Sequence, residues 1–235
     1  MLQETKCWGA ETEVIFQRIW RTCNSLTIDS TGASGGLAIL WDLYNIIINQ
    51  PFTMRSTITT CFEVIGSAQE GAITNVYGPN HHQDKDAFLQ QLELIKTLTA
   101  TPNWIIGGDF NMILTLEEKT GGTKKLEQDS GKFRTLIDNL KLVDMETSNG
   151  TFTWSNRRSG NQHIACRLDR FLVTEELLES GSCLDSLILP TAGSDHWPIA
   201  LQLNLNDPPR YKPFRFEQFW LQHPDFQRLA KSWWA

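Results

Sequence analysis

A carboxylate and an amide lie two residues apart directly after a short apolar run. Trp104-Ile105-Ile106 is typical of a buried strand, two glycines break it, and Asp109 and Asn111 follow. In extended backbone, residues i and i+2 point the same way, so these two polar groups can meet at one point. A carboxylate can take a proton from water or hold a metal ion, and an amide can orient a nucleophile or bind a phosphate oxygen. The alternative is a Gly-Gly-Asp turn that only caps a core strand.

Four other stretches place polar groups where a strand is predicted to end. Each alone has an ordinary structural explanation, such as a tight turn, a surface ion pair or a capped loop. Their joint presence in one chain favours a site of chemistry over five separate coincidences. The four are Gln3-Glu4-Thr5, Asn75-Val76-Tyr77-Gly78-Pro79-Asn80, Arg167-Leu168-Asp169 and Ser194-Asp195-His196.

The elements that must position these groups are mostly strands. Between residues 35 and 77, turns separate short runs rich in Ile, Thr and Val, which predicts an antiparallel meander. Apolar residues at helical spacing predict a helix over 84–98, which Pro102 ends. Further helices are expected at 12–21, from Asp129 or Ser130 to Leu140, and at 175–179. Further strands are expected at 151–155, 166–173, 186–189 and 199–205, and a loop at 115–126.

Composition excludes several classes of protein. The chain has 235 residues, 40% of them hydrophobic, and a net charge of −6, which opposes a general DNA-coating protein. The stretch from Lys119 to Arg170 is nevertheless basic, with ten Lys or Arg against six Asp or Glu, which suits an enzyme acting on a phosphate polymer or a chance surface cluster. The five cysteines are scattered without a CxxC pair, which opposes a disulfide framework and a zinc site. No apolar run is long enough to span a bilayer.

In their order along the chain and in their amino-acid sequences, the five polar stretches resemble motifs of the endonuclease/exonuclease/phosphatase superfamily, which includes deoxyribonuclease I and abasic-site endonucleases. The resemblance runs from Leu2 to about Leu205. More narrowly, the stretches Trp154 to Arg158, Arg167 to Val173 and Lys212 to Phe216 are similar to the endonuclease region of plant LINE-type retrotransposon polyproteins. The resemblance implies an α/β (α+β) fold, a four-layer sandwich of two packed mixed β-sheets flanked by helices.

The resemblance also implies how metal and substrate would be held. Glu4 and Asp195 match metal-binding acids, and the expected ion is Mg²⁺, with Mn²⁺ as a substitute. Mg²⁺ prefers carboxylate and water oxygens and offsets the charge that builds on phosphorus oxygens during hydrolysis. Tyr77 matches the tyrosine beside the scissile phosphate, and Asn80 and Arg167 are expected to bind substrate.

Catalysis is expected from two pairs of residues together with Tyr77. Asp109 matches the residue that activates or aligns the attacking water, and Asn111 matches its partner amide. His196 matches the histidine that contacts the phosphate, and Asp169 matches the acid that orients it. A histidine held by a carboxylate keeps one tautomer and has a raised pKa, which favours the cation beside a phosphate.

The family pattern also sets the expected limits of the domain. We expect a nuclease domain over residues 1–206, and a linker and aromatic tail over 207–235 leading toward an absent downstream domain of the reverse-transcriptase type. The family begins with a strand ahead of the Gln3-Glu4-Thr5 motif, so we expect this domain to lack its first strand.

Two functions from different classes are compatible with these patterns. The first is a Mg²⁺-dependent DNA endonuclease of retroelement origin, expected to be an intracellular, nuclear monomer that does not contact membranes. Phosphatases and RNA deadenylases are the alternatives within the superfamily. The second is a truncated, inactive remnant that at most binds nucleic acid or another protein. The missing strand favours the remnant, and the retained acids and His196 favour the enzyme.

Overall fold

The computed structural model describes residues 1–7, 9–31, 34–123, 125–179, 183–191 and 193–204. The predicted tail at 207–235 lies outside the described residues. The helices are α1 (Gly9–Ile19), α2 (His82–Thr99), α3 (Gln128–Asn139) and α4 (Glu175–Glu179), with 3-10 turns at Leu116–Glu118 and Gly160–Gln162. The strands are β1 (Leu2–Gln3), β2 (Cys23–Thr31), β3 (Ser34–Asp42), β4 (Ile46–Met54), β5 (Thr57–Val64), β6 (Glu70–Tyr77), β7 (Trp104–Asp109), β8 (Lys119–Thr120), β9 (Leu142–Met145), β10 (Trp154–Ser155), β11 (Ala165–Cys166), β12 (Asp169–Thr174), β13 (Cys183–Ile188) and β14 (Ile199–Asn204).

Six strands form the central sheet, in the order β4-β5-β6-β7-β12-β9. β6 and β7 are parallel, and the other neighbours in this sheet are antiparallel. α2 connects the two parallel strands, because a parallel pair needs a crossover connection. Its buried Phe88, Leu92 and Ile95 form the predicted stripe, and the helix ends at Ala100, which adopts a left-handed conformation two residues before Pro102.

Helices α2 and α3 cover one face of the central sheet. Trp104, Phe110 and Phe133 are fully buried in this layer, and the rings of Phe110 and Phe133 stack with their centroids 5.1 Å apart. The Trp104 Nε1–H donates to the hydroxyl of Thr74 at 2.8 Å, so its one polar atom is satisfied. Burying a large apolar side chain contributes about 1.5–3 kcal/mol. This packing therefore fixes β7, the strand that ends at Asp109.

The other face of the central sheet packs on a second layer of strands. This layer contains the three-stranded sheet β1-β3-β2 and the hairpin of β13 and β14, and all of its pairs are antiparallel. Ile105, Phe171 and Val173 of the central sheet pack against apolar side chains of β14, and Ile58 packs against Leu37 of β3. α1 packs against β2. The site-bearing strands are thus covered on both faces.

The predicted fold class, packed sheets flanked by helices, is confirmed. Among the described strands, the parallel pair is β6 and β7, and an isolated parallel bridge also joins Thr147 to Ser186. The predicted strand 166–173 is divided into β11, in a small sheet with β8 and β10, and β12, in the central sheet. The break has a side-chain cause: the hydroxyl of Thr153 accepts the backbone N–H groups of Leu168 and Asp169. β2 was not predicted, and the predicted loop at 115–126 contains a 3-10 turn and β8. Within the described ranges, no helix has both the length and the apolar character needed to cross a membrane.

Candidate active site

Three neighbouring strands bring polar side chains to one edge of the central sheet. Tyr77 at the end of β6 is the register partner of Asp109 at the end of β7. Asp109 is in turn the register partner of Asp169 at the start of β12. Directly opposed residues on adjacent strands project from the same face. The spacing of these three side chains is therefore set by sheet register.

Asp109 is held by the turn that follows it. The backbone N–H of Asn111 donates to Asp109 Oδ1 at 2.8 Å, and the Asn111 side-chain amide donates to Oδ2 at 3.1 Å. The same amide also donates to the carbonyl of Gly78 at 2.8 Å, which joins the ends of β7 and β6. A Cβ atom on Gly78 would lie 2.2 Å from the carbonyl oxygen of Phe110, so this close approach requires glycine.

His196 lies between two buried carboxylates. Its Nδ1 is 2.9 Å from Asp169 Oδ2, and its Nε2 is 4.0 Å from Asp109 Oδ2. Asp109 and Asp169 are only 4% and 7% exposed, whereas the His196 side chain is 32% exposed. With Nδ1 committed to Asp169, the Nε2 atom faces Asp109 and the opening of the site.

Burial and neighbouring charges shift the pKa values of His196 and Asp109. Burial alone would lower the pKa of His196, but the hydrogen bond and charge of Asp169, followed by the charges of Asp109 and Asp195, raise it to about 9. Burial, followed by the charge of Asp169, raises the pKa of Asp109 to about 7, against the opposing effects of His196 and the Asn111 N–H. At neutral pH the imidazole is therefore a cation, and Asp109 can both take up and release a proton.

Glu4 reaches the site from the start of the chain. It adopts a left-handed conformation with φ of 50°, and its Oε1 accepts a hydrogen bond from the Tyr77 hydroxyl. The preceding strand is anchored by the buried Asn75, which accepts the Gln3 amide at 2.5 Å and donates to the carbonyl of Leu2 at 2.9 Å. Burial and then Glu4 raise the pKa of Tyr77 well above its usual range, so the phenol stays protonated.

Asp195 is positioned by a residue that sequence reasoning missed. The indole Nε1–H of Trp154 donates to Asp195 Oδ2 at 3.0 Å, and the backbone N–H of Ser155 donates to the Asp195 carbonyl at 3.0 Å. Trp154 also forms an isolated antiparallel bridge with His196. The alternating pattern of residues 151–155 was the available signal, because it predicts that Trp154 projects from one face of a strand.

Two adjoining cavities of about 310 and 350 Å³ open at this edge. Their shared lining contains Glu4, Tyr77, Asp109, Asp195 and His196. One cavity is also lined by Asp169, and the other by Asn80 and Asn111. Eight of the nine residues predicted from the sequence therefore surround one connected space.

Arg167, the ninth residue, does not line either cavity. It is 5% exposed, and its guanidinium contacts Glu118 Oε1 at 2.9 Å and Asp144 Oδ1 at 2.7 Å. Arg170 contacts the same two carboxylates, at 2.9 and 2.6 Å. The expected role of Arg167 in binding substrate is therefore not carried further, because its donors are occupied inside this buried ion cluster.

The profile of the Endonuclease/Exonuclease/phosphatase family matches residues 1–196. The chain belongs to this family. A search of curated proteins found no match.

Solved structures place this family member among others with the same fold. It is similar to the endonuclease domain of TRAS1, a telomere-specific non-LTR retrotransposon, with a TM-score of 0.62, 17% identity, and coverage of 87% of this chain and 95% of that one. It is also similar to D. rerio TDP2 complexed with a single-strand DNA product (TM-score 0.60, 14% identity, 86% and 84% coverage). Human nocturnin catalytic domain with bound sulfate gives a TM-score of 0.56, 16% identity, and 86% and 79% coverage.

The Endonuclease/Exonuclease/phosphatase family generally uses divalent cations, and the donors at this site fit that chemistry. Glu4, Asp109 and Asp195 offer hard carboxylate oxygens around one cavity, and Asn80 and Asn111 add amide groups. Within the described part of the chain, no three acidic, cysteine or histidine side chains converge closely enough to hold a metal alone.

Proposed function

We propose that this protein is a Mg²⁺-dependent phosphodiesterase that nicks DNA, an endonuclease of retroelement origin. One observation carries the proposal: Asp109 lies between the Asn111 amide and the Asp169–His196 pair at the open edge of the sheet. This arrangement offers a proton acceptor and a cationic donor to the same small volume. Hydrolysis of a phosphodiester needs both, one for the attacking water and one for the charge on the phosphate.

Asp109 is the residue that would orient and deprotonate the attacking water. Its pKa of about 7 is close to working pH, where a general base is most effective. Asn111 fixes the carboxylate through two hydrogen bonds, so Asp109 has little freedom to turn away. A fixed carboxylate reduces the loss of entropy on reaching the reacting geometry.

His196 is the residue that would contact the phosphate. With a pKa of about 9 it is a cation at neutral pH, and Asp169 accepts its Nδ1–H. The Nε2–H remains available to a phosphoryl oxygen, whose charge grows in the transition state. A preorganised cationic donor in a partly buried site stabilises that charge more than water would. Tyr77 lies on the same rim, where its hydroxyl donates its one proton to Glu4.

Glu4 and Asp195 would hold the metal. Mg²⁺, or Mn²⁺ in its place, supplies charge compensation for the phosphate and the leaving oxygen. Both acids are already oriented, Glu4 by the Tyr77 hydroxyl and Asp195 by the indole of Trp154. Asn80 lines the same cavity and offers an amide to the substrate.

DNA is the favoured substrate because the chain is similar to a retrotransposon endonuclease domain and to a protein solved with a DNA product. The similarity to the TRAS1 endonuclease domain covers 95% of that domain, and TDP2 was solved with a DNA product. The resemblance of several stretches to plant LINE-type endonucleases supports a retroelement origin. We propose that the protein acts as a monomer in the nucleus, and that residues 207–235 lead toward a downstream reverse transcriptase.

A plasmid-nicking assay tests the proposal. Purified protein should convert supercoiled plasmid to the nicked form with Mg²⁺ and not with excess chelator. The His196→Ala variant should be at least about 100-fold slower, the usual scale for a positioned proton-transfer group. Lys132→Ala, which removes a half-exposed amine on α3, is the matched control and should retain wild-type nicking. Full nicking in chelator would overturn the proposed metal dependence. No nicking by a folded wild-type protein would overturn the proposal and favour an inactive remnant.

A further inference from the structure

A second histidine–carboxylate pair lies at the start of α2, two residues after Asn80, which lines the site. The His82 Nδ1 atom is 2.5 Å from Asp129 Oδ2. Asp129 is 1% exposed, whereas the His82 side chain is 62% exposed. The buried Lys85 lies 3.6 Å from the same Asp129 oxygen and 3.1 Å from Glu127. A fully buried acid thus orients an imidazole that faces solvent.

The His82–Asp129 pair uses the same atoms as the His196–Asp169 pair in the site. In both, Nδ1 faces Oδ2 of a buried aspartate, at 2.5 Å for His82 and 2.9 Å for His196. Nε2 of His82 has no partner among the described residues. A protonated imidazole in this arrangement donates one N–H to the aspartate and presents the other to an acceptor from solution.

His82 also lies at the edge of the central sheet that carries the candidate site. Asn80, only two residues earlier, lines the candidate site, and two residues span at most about 7 Å. Because α2 connects the parallel strands β6 and β7, its first turn lies at the carboxyl ends of both strands. Asp129 ties the first turn of α3 to the same edge. The N-terminal ends of two helices therefore add partial positive charge around His82.

Most acidic side chains near His82 form ion pairs with basic side chains. Asp84 pairs with Arg55 at 3.3 Å, and Asp86 pairs with Lys132 at 2.5 Å. Glu127 pairs with Lys85. An anion that approaches Nε2 therefore meets few unpaired carboxylates.

We infer that His82 binds a backbone phosphate next to the scissile one on the nucleic acid strand that crosses the site. This inference rests on the function proposed above. A duplex strand carries one phosphate per about 3.4 Å of helix axis, so the separation of His82 from Asn80 corresponds to one or two nucleotides. Asp129 acts as a positioning residue that holds the ring, and His82 supplies the hydrogen bond to the phosphate.

The test compares DNA with a substrate that has no flanking phosphate. For His82→Ala, KM for an oligonucleotide duplex should rise about tenfold, the scale of one hydrogen bond to a charged group. The salt dependence of log KM should fall by about 0.9, the value for one lost phosphate contact. On bis(p-nitrophenyl) phosphate, kcat/KM of His82→Ala should be unchanged. Lys96→Ala, which removes a charge from the opposite end of α2, should keep wild-type KM and salt slope.

A second variant distinguishes loss of phosphate binding from loss of folded structure. Asp129→Asn should also raise KM for DNA, with a melting temperature measured alongside to confirm that the protein is folded. If the wild type cleaves DNA and His82→Ala matches Lys96→Ala in KM and salt slope, the assignment of His82 is wrong while the proposed function stands. If His196→Ala loses no activity on either substrate, the proposed site itself is wrong.

Discussion

Two clusters of charged side chains lie on opposite faces of the central sheet at the start of β12. Asp169 joins His196 and Asp109 on one face, and the next residue, Arg170, joins Arg167, Glu118 and Asp144 on the other. Alternation along a strand sends consecutive side chains to opposite faces. Two consecutive residues of β12 therefore belong to the candidate site and to a buried ion cluster, respectively.

The two clusters differ in charge balance. In the buried cluster, two guanidinium groups face two carboxylates, and each carboxylate contacts both arginines. At the site, Asp109, Asp169 and Asp195 all act on the single cation of His196. A balanced cluster needs nothing from solution, whereas an excess of carboxylates favours binding of a cation. The difference explains why similar residue types on neighbouring positions have different roles.

The largest predicted effect is on stability, from unbalancing the buried cluster. Glu118→Gln leaves two buried arginines facing one carboxylate, and removing one partner of a buried ion pair costs about 3–5 kcal/mol. Urea unfolding should show a loss of this size, while nicking per folded molecule stays at the wild-type level. A loss below about 1 kcal/mol would mean that the cluster is not the stabilising feature described here.

The next effect is on activity, through the Asp169–His196 pair. Each single alanine variant should reduce nicking by about 100-fold or more. The double variant should be little slower than either single variant, because groups that act as a unit give non-additive losses. The four rates of the double-mutant cycle measure this coupling. Losses that multiply in the double variant would break the proposed pair.

A smaller effect concerns pH in the metal-free protein. The pKa of Asp109 is raised from 3.8 to about 7, so folding favours its protonated form, and its contribution to stability falls as pH rises between these values. The pKa of Glu118 is lowered, because Arg170 and Arg167 outweigh the opposite effect of burial, so its contribution is lost as pH falls. Melting temperature against pH should lose its decline between about 4 and 7 in Asp109→Asn. An unchanged profile in that variant would contradict the assigned shift.

The smallest effect is expected from the tail. Because residues 207–235 are proposed to lie outside the domain, deletion of 208–235 should leave the melting temperature nearly unchanged. It should also improve solubility, since its aromatic residues would favour association if they were exposed. Differential scanning calorimetry and light scattering measure the two quantities. A large fall in melting temperature would show that the tail belongs to the domain.

The sequence alone predicted those features that depend on residues close together in the chain, such as strands, turns and helices. The stretch ending in Tyr77 was predicted correctly, because strand patterns and glycine turns are local signals. The prediction that two glycines break the strand after Ile106 was wrong, because β7 continues through Gly107 and Gly108 to Asp109. Asp109 and Asn111 do share one site, as their spacing of two residues suggested. The helix beginning near Asp84 was also found, with its start at His82.

The sequence failed where partners come from distant elements. Arg167 was expected to bind substrate, yet Glu118 and Asp144, which are remote in sequence, hold it in the buried cluster. Trp154 supports Asp195 across 41 residues, and no local pattern encodes that contact. Such contacts depend on sheet register, which the sequence alone does not specify.

The most direct test of the account is a pair of measurements on Asp109→Asn with Mg²⁺ present. The substitution keeps the size of the side chain and removes one carboxylate from the unbalanced cluster. We predict that the free energy of unfolding is no lower than that of the wild type, because the buried Asp109 carboxylate does not stabilise the fold, while plasmid nicking falls at least about 100-fold. Nicking at the wild-type rate by this folded variant would contradict the assignment of Asp109 as the centre of the active site.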